Sequence, residues 1–313
     1  MSLLTTSMAT RLRRKPPAAT KIREPFRDRV FLVVVTIMLT VVLALVLLPL
    51  VYIVASSFSS ASAVSAGRVS LWPVEFSLHA YRVALTNPQV LQGYYNSLIY
   101  AVAGTLISVT LTVAIAYPLS RKTFFGRNVL MTLLIFTMLF SGGLIPTYMV
   151  VQDVGMLNTR WALLIPNAIG VFQVIIARTF FANSIPDELY EAAMLDGASE
   201  LRVLRSVVLP LSKPLLAVLA LMYAIYQWNT YFDALVYLKD PDLYPLQIVL
   251  RNMLILNQTR PGATDMAQQM EQLQLANVLK YALIVVSSLP VLIIYPFIAR
   301  HFTKGVMVGA VKG

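Results

Sequence analysis

The chain has 313 residues, of which 58% are hydrophobic and 12% charged, with a formal net charge of +11. Soluble globular domains carry roughly 25% charged residues, so an ordinary soluble protein is excluded and lipid is the expected solvent. There is no cysteine, which excludes disulfides, thiolate nucleophiles and cysteine metal sites, and the two histidines, His79 and His301, lie too far apart in sequence to suggest a metal or catalytic centre.

Residues 1–29 hold eight Lys and Arg together with Pro16, Pro17 and Pro25. They read as a basic, partly disordered cytoplasmic tail lying near anionic headgroups. The apolar run behind them is too long for the core of a cleavable signal peptide. Crossing a bilayer takes about 20 apolar residues as helix, and the charge-free run 30–54 exceeds that. Further spans are expected at 97–120, 129–151, 161–177, 206–232 and 281–299, with Lys213 the one charge inside them. The expected fold is therefore an all-α membrane protein of six transmembrane helices. Its core runs from 30 to 303, and a short tail covers 304–313. Pro49, Pro118, Pro146, Pro166, Pro290 and Pro296 interrupt most spans. Each frees a carbonyl and bends its helix, either as ordinary membrane-helix irregularity or because the span lines a pathway.

Lys and Arg set the orientation. Eight lie in 1–29, three in 120–128, four between Arg178 and Lys213, and three after Ala299, so 18 of 25 fall on the side that holds both termini. Both termini and the segment 186–210 are expected to be cytoplasmic. The basic excess is thus mainly a topology signal, and no nucleic-acid partner is expected.

What the spans lack is as informative. Ion-coupled carriers keep ionisable groups inside the membrane despite their cost, and a hydrolase needs carboxylates, histidines or a nucleophile with its base. Neither set is present, and no Gly-Lys-Ser or Gly-Lys-Thr cradle for phosphate occurs. No catalytic residue, metal ligand or cofactor is expected on this chain. Uphill transport would have to be driven by another protein.

The segment from Asp187 to Pro210 carries five of the 14 acidic residues, together with Arg202 and Arg205. Pro186 suits the start of a helix, and Asp187 and Glu188 match the positive end of its dipole. Tyr190, Ala193 and Gly197 share one helical face. Asp196-Gly197 supplies a turn, since glycine adopts positive φ without steric penalty. Ser199 is expected to cap a second helix, with Leu201, Leu204, Val208 and Leu211 as its apolar stripe. Pro210 and Pro214 mark the bend into the fifth span. Such an elbow is either an amphipathic interfacial linker or a docking surface whose small residues, Ala192 and Ala193, let a partner approach.

Glu191-Ala192-Ala193, three residues, Gly197, nine residues and Val207-Val208-Leu209-Pro210 resemble the EAA signature of the permease subunits of ABC importers. The fuller "PDELYEAAMLDGAS", "VVLPLSKP" and the C-terminal "ARHFTKGVMVGAVKG" resemble the sugar-importing branch related to the maltose permease. Val207 stands where isoleucine is commoner. The resemblance implies the type I importer permease fold in the cytoplasmic (inner) membrane of a bacterium, with residues 186–210 as the coupling helix seated on an ATPase subunit. It implies docking roles for Glu188, Tyr190, Glu191, Ala192, Ala193, Asp196, Gly197, Ala198, Arg202 and Pro210. It also implies a second permease subunit in a heterodimer, two ATPase subunits holding ATP and Mg, an extracytoplasmic solute-binding protein and an oligosaccharide substrate. "YLKDPDLYPLQIVLRNML" resembles, more weakly, permeases for complex or uronate-containing oligosaccharides.

Trp228, Tyr231 and Phe232 fall at helical i, i+3 and i+4, so they would share a face. Flat aromatics with amides beside them suit sugar, whereas an interfacial aromatic belt explains the same residues. Candidate pathway residues are Asn167, Gln173, Gln227, Trp228, Asn229 and Tyr231. The outer loops 55–96 and 233–280 are expected to meet the binding protein. A permease for a non-sugar solute, or a channel or secondary carrier whose loop docks a regulator, would share several of these features.

Overall fold

The structure is a computed structural model that describes residues 25–256 and 266–309, with side chains described for 25–253 and 274–296. The expected N-terminal tail up to residue 24, the stretch 257–265 and residues 310–313 lie outside the described residues, as do the side chains of "ARHFTKGVMVGAVKG" beyond Pro296. The described residues form helices and turns without a strand.

The chain divides into residues 1–50 and 51–313. Helix α1 (Phe26–Ser57) runs through the first unit with Pro49 inside it, and is long and apolar enough to cross a membrane. In the second unit, short α2 (Ala61–Ser65) and α3 (His79–Thr86) precede α4 (Pro88–Ser120), which also qualifies as a span. The Asn87 side chain caps α4 by accepting from the backbone N–H groups of Gln89 and Val90, and Pro88 occupies its first turn.

The third apolar run, 129–151, is not one straight span. It forms α5 (Arg127–Leu139) and α6 (Leu144–Asp153), bent by 114° at a short break. Gly143 at φ +85° allows the reversal. The fourth run, 161–177, is likewise broken into α7 (Trp161–Leu164) and α8 (Val171–Ser184), with Pro166 and Gly170 between. Backbone freed at membrane depth must find partners inside the protein. The Tyr223 hydroxyl answers this by accepting from the Gly170 N–H at 3.1 Å while hydrogen-bonding Thr112 at 2.7 Å.

After α8 come α9 (Asp187–Leu195), α10 (Glu200–Val203), a π turn over Leu204–Val208 and α11 (Leu209–Leu211). The segment Glu200–Leu211 meets α12 (Lys213–Trp228) at 83°, so α12 begins at Lys213 where the expected span began at 206. It stops at Trp228, short of the expected 232. Beyond it lie α13 (Phe232–Tyr237), a 3-10 turn over Pro241–Leu243, α14 (Leu246–Leu256) and α15 (Met266–Gly309). Within α15, Gln274–Pro296 is long and apolar enough to span. Three described helices thus qualify directly, or five if each bent pair crosses as one.

In the second unit α4 is the central post, packed chiefly against α12 and α8. Gly104 permits this closeness, because a Cβ there would lie 2.6 Å from the Gln227 side chain. Near its first turns α4 grips the 242–246 segment. Asn96 Nδ2 donates to the Asp242 carbonyl at 2.7 Å, Tyr100 Oη to the Leu243 carbonyl at 2.8 Å, and the Leu246 N–H to Ser97 Oγ at 2.8 Å. Buried polar groups are thereby satisfied, and the long loop is held through its own backbone carbonyls and one N–H, which need no particular side chain.

Candidate functional site

The elbow begins with Pro186 in an extended conformation, followed by Asp187 and Glu188 in the first turn of α9. Its end is a Schellman closure. The Ala198 N–H donates to the Ala193 carbonyl at 3.0 Å and the Gly197 N–H to the Met194 carbonyl at 3.0 Å, with Gly197 at φ +75°. Ser199 sits at the cap position of α10, as expected, yet its hydroxyl makes no capping bond. Glu200 instead accepts from Tyr117 Oη at 2.7 Å, tying the second helix of the elbow to the end of α4.

The two faces of the elbow differ sharply. Tyr190 is buried against Tyr117 and Phe181, and Ala193 and Ala198 pack on the same core. Glu188, Glu191, Ala192, Asp196, Gly197, Arg202 and Pro210 are exposed. Between them stand Met194 and Leu195, 58% and 89% exposed, which the motif did not single out. Tyr190 therefore faces the chain's own core, while Ala193 and Ala198, partly buried, pack on the same cluster. The expected apolar stripe holds in part: Val208 is buried and Leu204 packs against the core, whereas Leu201 and Leu211 are exposed and Val203, outside the stripe, is buried. A π turn over 204–208 separates Val203 from Val208 and departs from the α-helical spacing on which the stripe rests.

Cations brace the inner side. The Arg121 guanidinium lies 3.4 Å from the Tyr190 ring centroid and 4.0 Å from Asp187, and Lys122 pairs with Asp187 at 2.8 Å. The hydrogen bond from Lys122, helped by its charge, holds the Asp187 carboxyl below the usual carboxylate range. Burial pushes the Tyr190 hydroxyl upward, with Arg121 partly opposing.

The expected pathway residues are only partly brought together. Because α12 ends at Trp228 and Tyr231 has φ −129°, Trp228, Tyr231 and Phe232 do not share a helical face, contrary to their spacing. Trp228, Asn229 and Tyr231 nevertheless line one cavity of about 810 Å³ with Gln247, Arg251 and Lys280. Trp228 is buried, and its Nε1 donates to the Ser287 carbonyl at 3.0 Å. Gln227 and Gln173 are absent from that lining. The former is buried against Gly104 and the latter lies over Gly170. Asn167 donates to Asp233 Oδ2 at 2.9 Å, with Tyr226 Oη at 3.3 Å from the same oxygen. Sequence reading missed Arg251, Lys280 and Asp233 because their roles depend on helices distant in the chain. Among the described residues, no group of three His, Cys, Asp or Glu could hold a metal.

Residues 18–308 match the family described as binding-protein-dependent transport system inner membrane component. Protein LplC of Bacillus subtilis (strain 168) is 42% identical over 270 residues, covering 86% of this chain and 90% of its own. The polygalacturonan/rhamnogalacturonan transport system permease protein YtcP of the same organism is 42% identical over 272 residues, covering 85% and 92%. Among solved structures, a chain of a bacterial ABC transporter involved in the import of the acidic polysaccharide alginate superposes with a TM-score of 0.81. It is 34% identical, with 89% of this chain and 99% of that one covered. The chain belongs to the family of binding-protein-dependent transport system inner membrane components. It is a multi-pass ABC transporter permease subunit, a transport protein rather than a catalyst of bond chemistry.

Proposed function

We propose that this chain is one of two transmembrane subunits of an ATP-driven importer, with six crossings and both termini cytoplasmic, and forms half of the pathway for an oligosaccharide delivered by an extracytoplasmic binding protein. The second permease is a different chain. ATP and Mg are held by two ATPase subunits, and this chain binds no cofactor of its own. The observation that carries the reading is the two-faced elbow. Its inner face is locked to the core through Tyr190, Ala193 and Val203, while Glu191, Ala192, Met194, Leu195 and Gly197 face outward. Exposed apolar side chains ringed by carboxylates suit the groove of a protein partner. Closure of the ATPase pair would swing the elbow and reopen the spans toward the binding protein; hydrolysis would reset the inward-facing state.

The test is co-purification from membranes. Glu191→Lys and Leu195→Asp should lose the ATPase subunit while the chain stays inserted. Undiminished ATPase retention and uptake in both variants would defeat the assignment.

The cavity beneath Trp228 favours an acidic sugar as the passenger. Aromatic rings suit sugar faces, and Arg251 and Lys280 add positive charge suited to a carboxylate. The relatives named for polygalacturonan and alginate point the same way. Arg251→Gln and Lys280→Gln should each slow uptake of oligogalacturonides about tenfold, in keeping with the loss of one charge-assisted hydrogen bond. Uptake of the carboxyl-reduced oligomers should be spared. Equal losses for both substrates would count against a carboxylate site.

A further inference from the structure

A second cavity, of about 400 Å³, lies behind the elbow where the end of α4, the start of α5 and the end of α8 meet α9. Its volume falls in the range of small-ligand clefts, about 300–1,000 Å³. Arg121, Lys122, Arg127 and Arg178 line it against one carboxylate, Asp187. Lys122 engages that carboxylate directly at 2.8 Å, leaving Arg121 at 4.0 Å.

Arg121 is the informative member. Its side chain is 14% exposed, its guanidinium is clamped on the Tyr190 ring, and its Nε has no hydrogen-bond partner among the described residues. A guanidinium carries five N–H donors, and burying a cation with donors unmet is costly. The Arg178 Nε has only a long 3.4 Å bond to the Leu119 carbonyl. The arrangement is a fixed set of donors with too few acceptors, and a phosphate, with several oxygens and matching bidentate geometry, supplies what is missing.

The surroundings select the source of that phosphate. The loop joining α4 to α5 carries Phe125, 98% exposed, immediately before Gly126 and Arg127. An exposed phenyl ring beside cations suits the boundary between headgroups and acyl chains. We propose that this cavity binds the headgroup phosphate of an anionic phospholipid, with Arg121, Arg178 and Lys122 as its ligands. The location on the elbow side of the membrane rests on the importer reading above. A phosphate seated there competes with Asp187 for Lys122 and Arg121. Because Asp187 opens α9, lipid occupancy alters how firmly the first turn of the elbow is held.

The experiment uses the assembled transporter in nanodiscs of phosphatidylcholine with and without phosphatidylglycerol. Native mass spectrometry counts the retained phosphatidylglycerol, and ATP hydrolysis is followed in parallel. Arg121→Gln and Arg178→Gln should each weaken retention roughly fivefold, the effect of one membrane-facing charge. Arg121→Lys should keep part of the binding, and Lys213→Gln, outside the cavity, should keep all of it. Unchanged retention in the Arg121→Gln/Arg178→Gln double variant would overturn the site. So would an equal loss in Lys213→Gln, which would mean diffuse surface attraction. Inorganic phosphate that reproduces the phosphatidylglycerol effect on hydrolysis in pure phosphatidylcholine would overturn the lipid assignment. Failure of ATPase subunits to co-purify with the wild-type chain would instead sink the importer reading, and the lipid count would still be readable.

Discussion

The Arg121 guanidinium stacks 3.4 Å from the Tyr190 ring centroid, so a residue at the end of a membrane helix grips the first helix of the elbow through its aromatic face. Removing the ring should matter far more than removing the hydroxyl. Tyr190→Phe keeps the stack and should change stability by less than about 0.5 kcal/mol. Tyr190→Ala opens a cavity and forfeits the stack, at about 3 kcal/mol. Hydrogen exchange over 187–198 in the purified chain checks both.

Gly197 lies at φ +75°, and a Cβ there would meet nothing within 4 Å. The cost of substitution is therefore backbone strain rather than collision. Gly197→Asn should be mild, since asparagine tolerates this region, while Gly197→Val should cost about 1–3 kcal/mol locally. If the order of ATPase-subunit retention is not wild type, then Asn, then Val, the turn does not set the angle of the elbow.

Asp187 titrates below the usual carboxylate range because Lys122 hydrogen-bonds it and adds its charge. A carboxyl whose folded value is depressed contributes stability that is fully present above its unfolded value, about 3.9, and lost as pH falls through the folded one. The start of α9 should thus be indifferent to pH between about 5 and 8 and loosen only below about 4. Lys122→Ala should remove that acid sensitivity, as followed by exchange of the 187–192 amides.

Gly104 and Gln227 form a coupled pair. A Cβ at 104 would lie 2.6 Å from the Gln227 amide, and that amide has no partner among the described residues. Gly104→Ala should destabilise by about 1–3 kcal/mol through overpacking. Gln227→Ala should relieve most of that loss, giving a clear interaction energy in a double-mutant cycle. Additive single effects would mean that α4 and α12 part freely here.

Much of this architecture can be read locally, and the rest cannot for identifiable reasons. The elbow is legible because Pro186, Asp187, Glu188 and Gly197 each act within a few residues of themselves. Hydropathy finds apolar stretches but is blind to their direction: Pro146 and Pro166 flag interruptions, yet neither the 114° bend after Leu139 nor the full break before Val171 shows in the apolar pattern. On the second elbow helix Leu204 and Val208 are placed rightly, but Leu201 and Leu211 are not, since a regular α-helical stripe does not foresee the π turn between them. The shared face of Trp228 and Tyr231 fails because α12 stops first, although the cavity gathers both by another route. Asn167 is named from the sequence only as a pathway candidate, and its bond to Asp233 could not be foreseen because the two lie 66 residues apart.

The Tyr223 hydroxyl reaches both Thr112 and the Gly170 N–H. One phenol thus pins the interruption ahead of α8 to two other helices, acting as a rivet where three beams cross. Parting any one of the three would leave a buried polar group without its partner, so this joint favours their moving together.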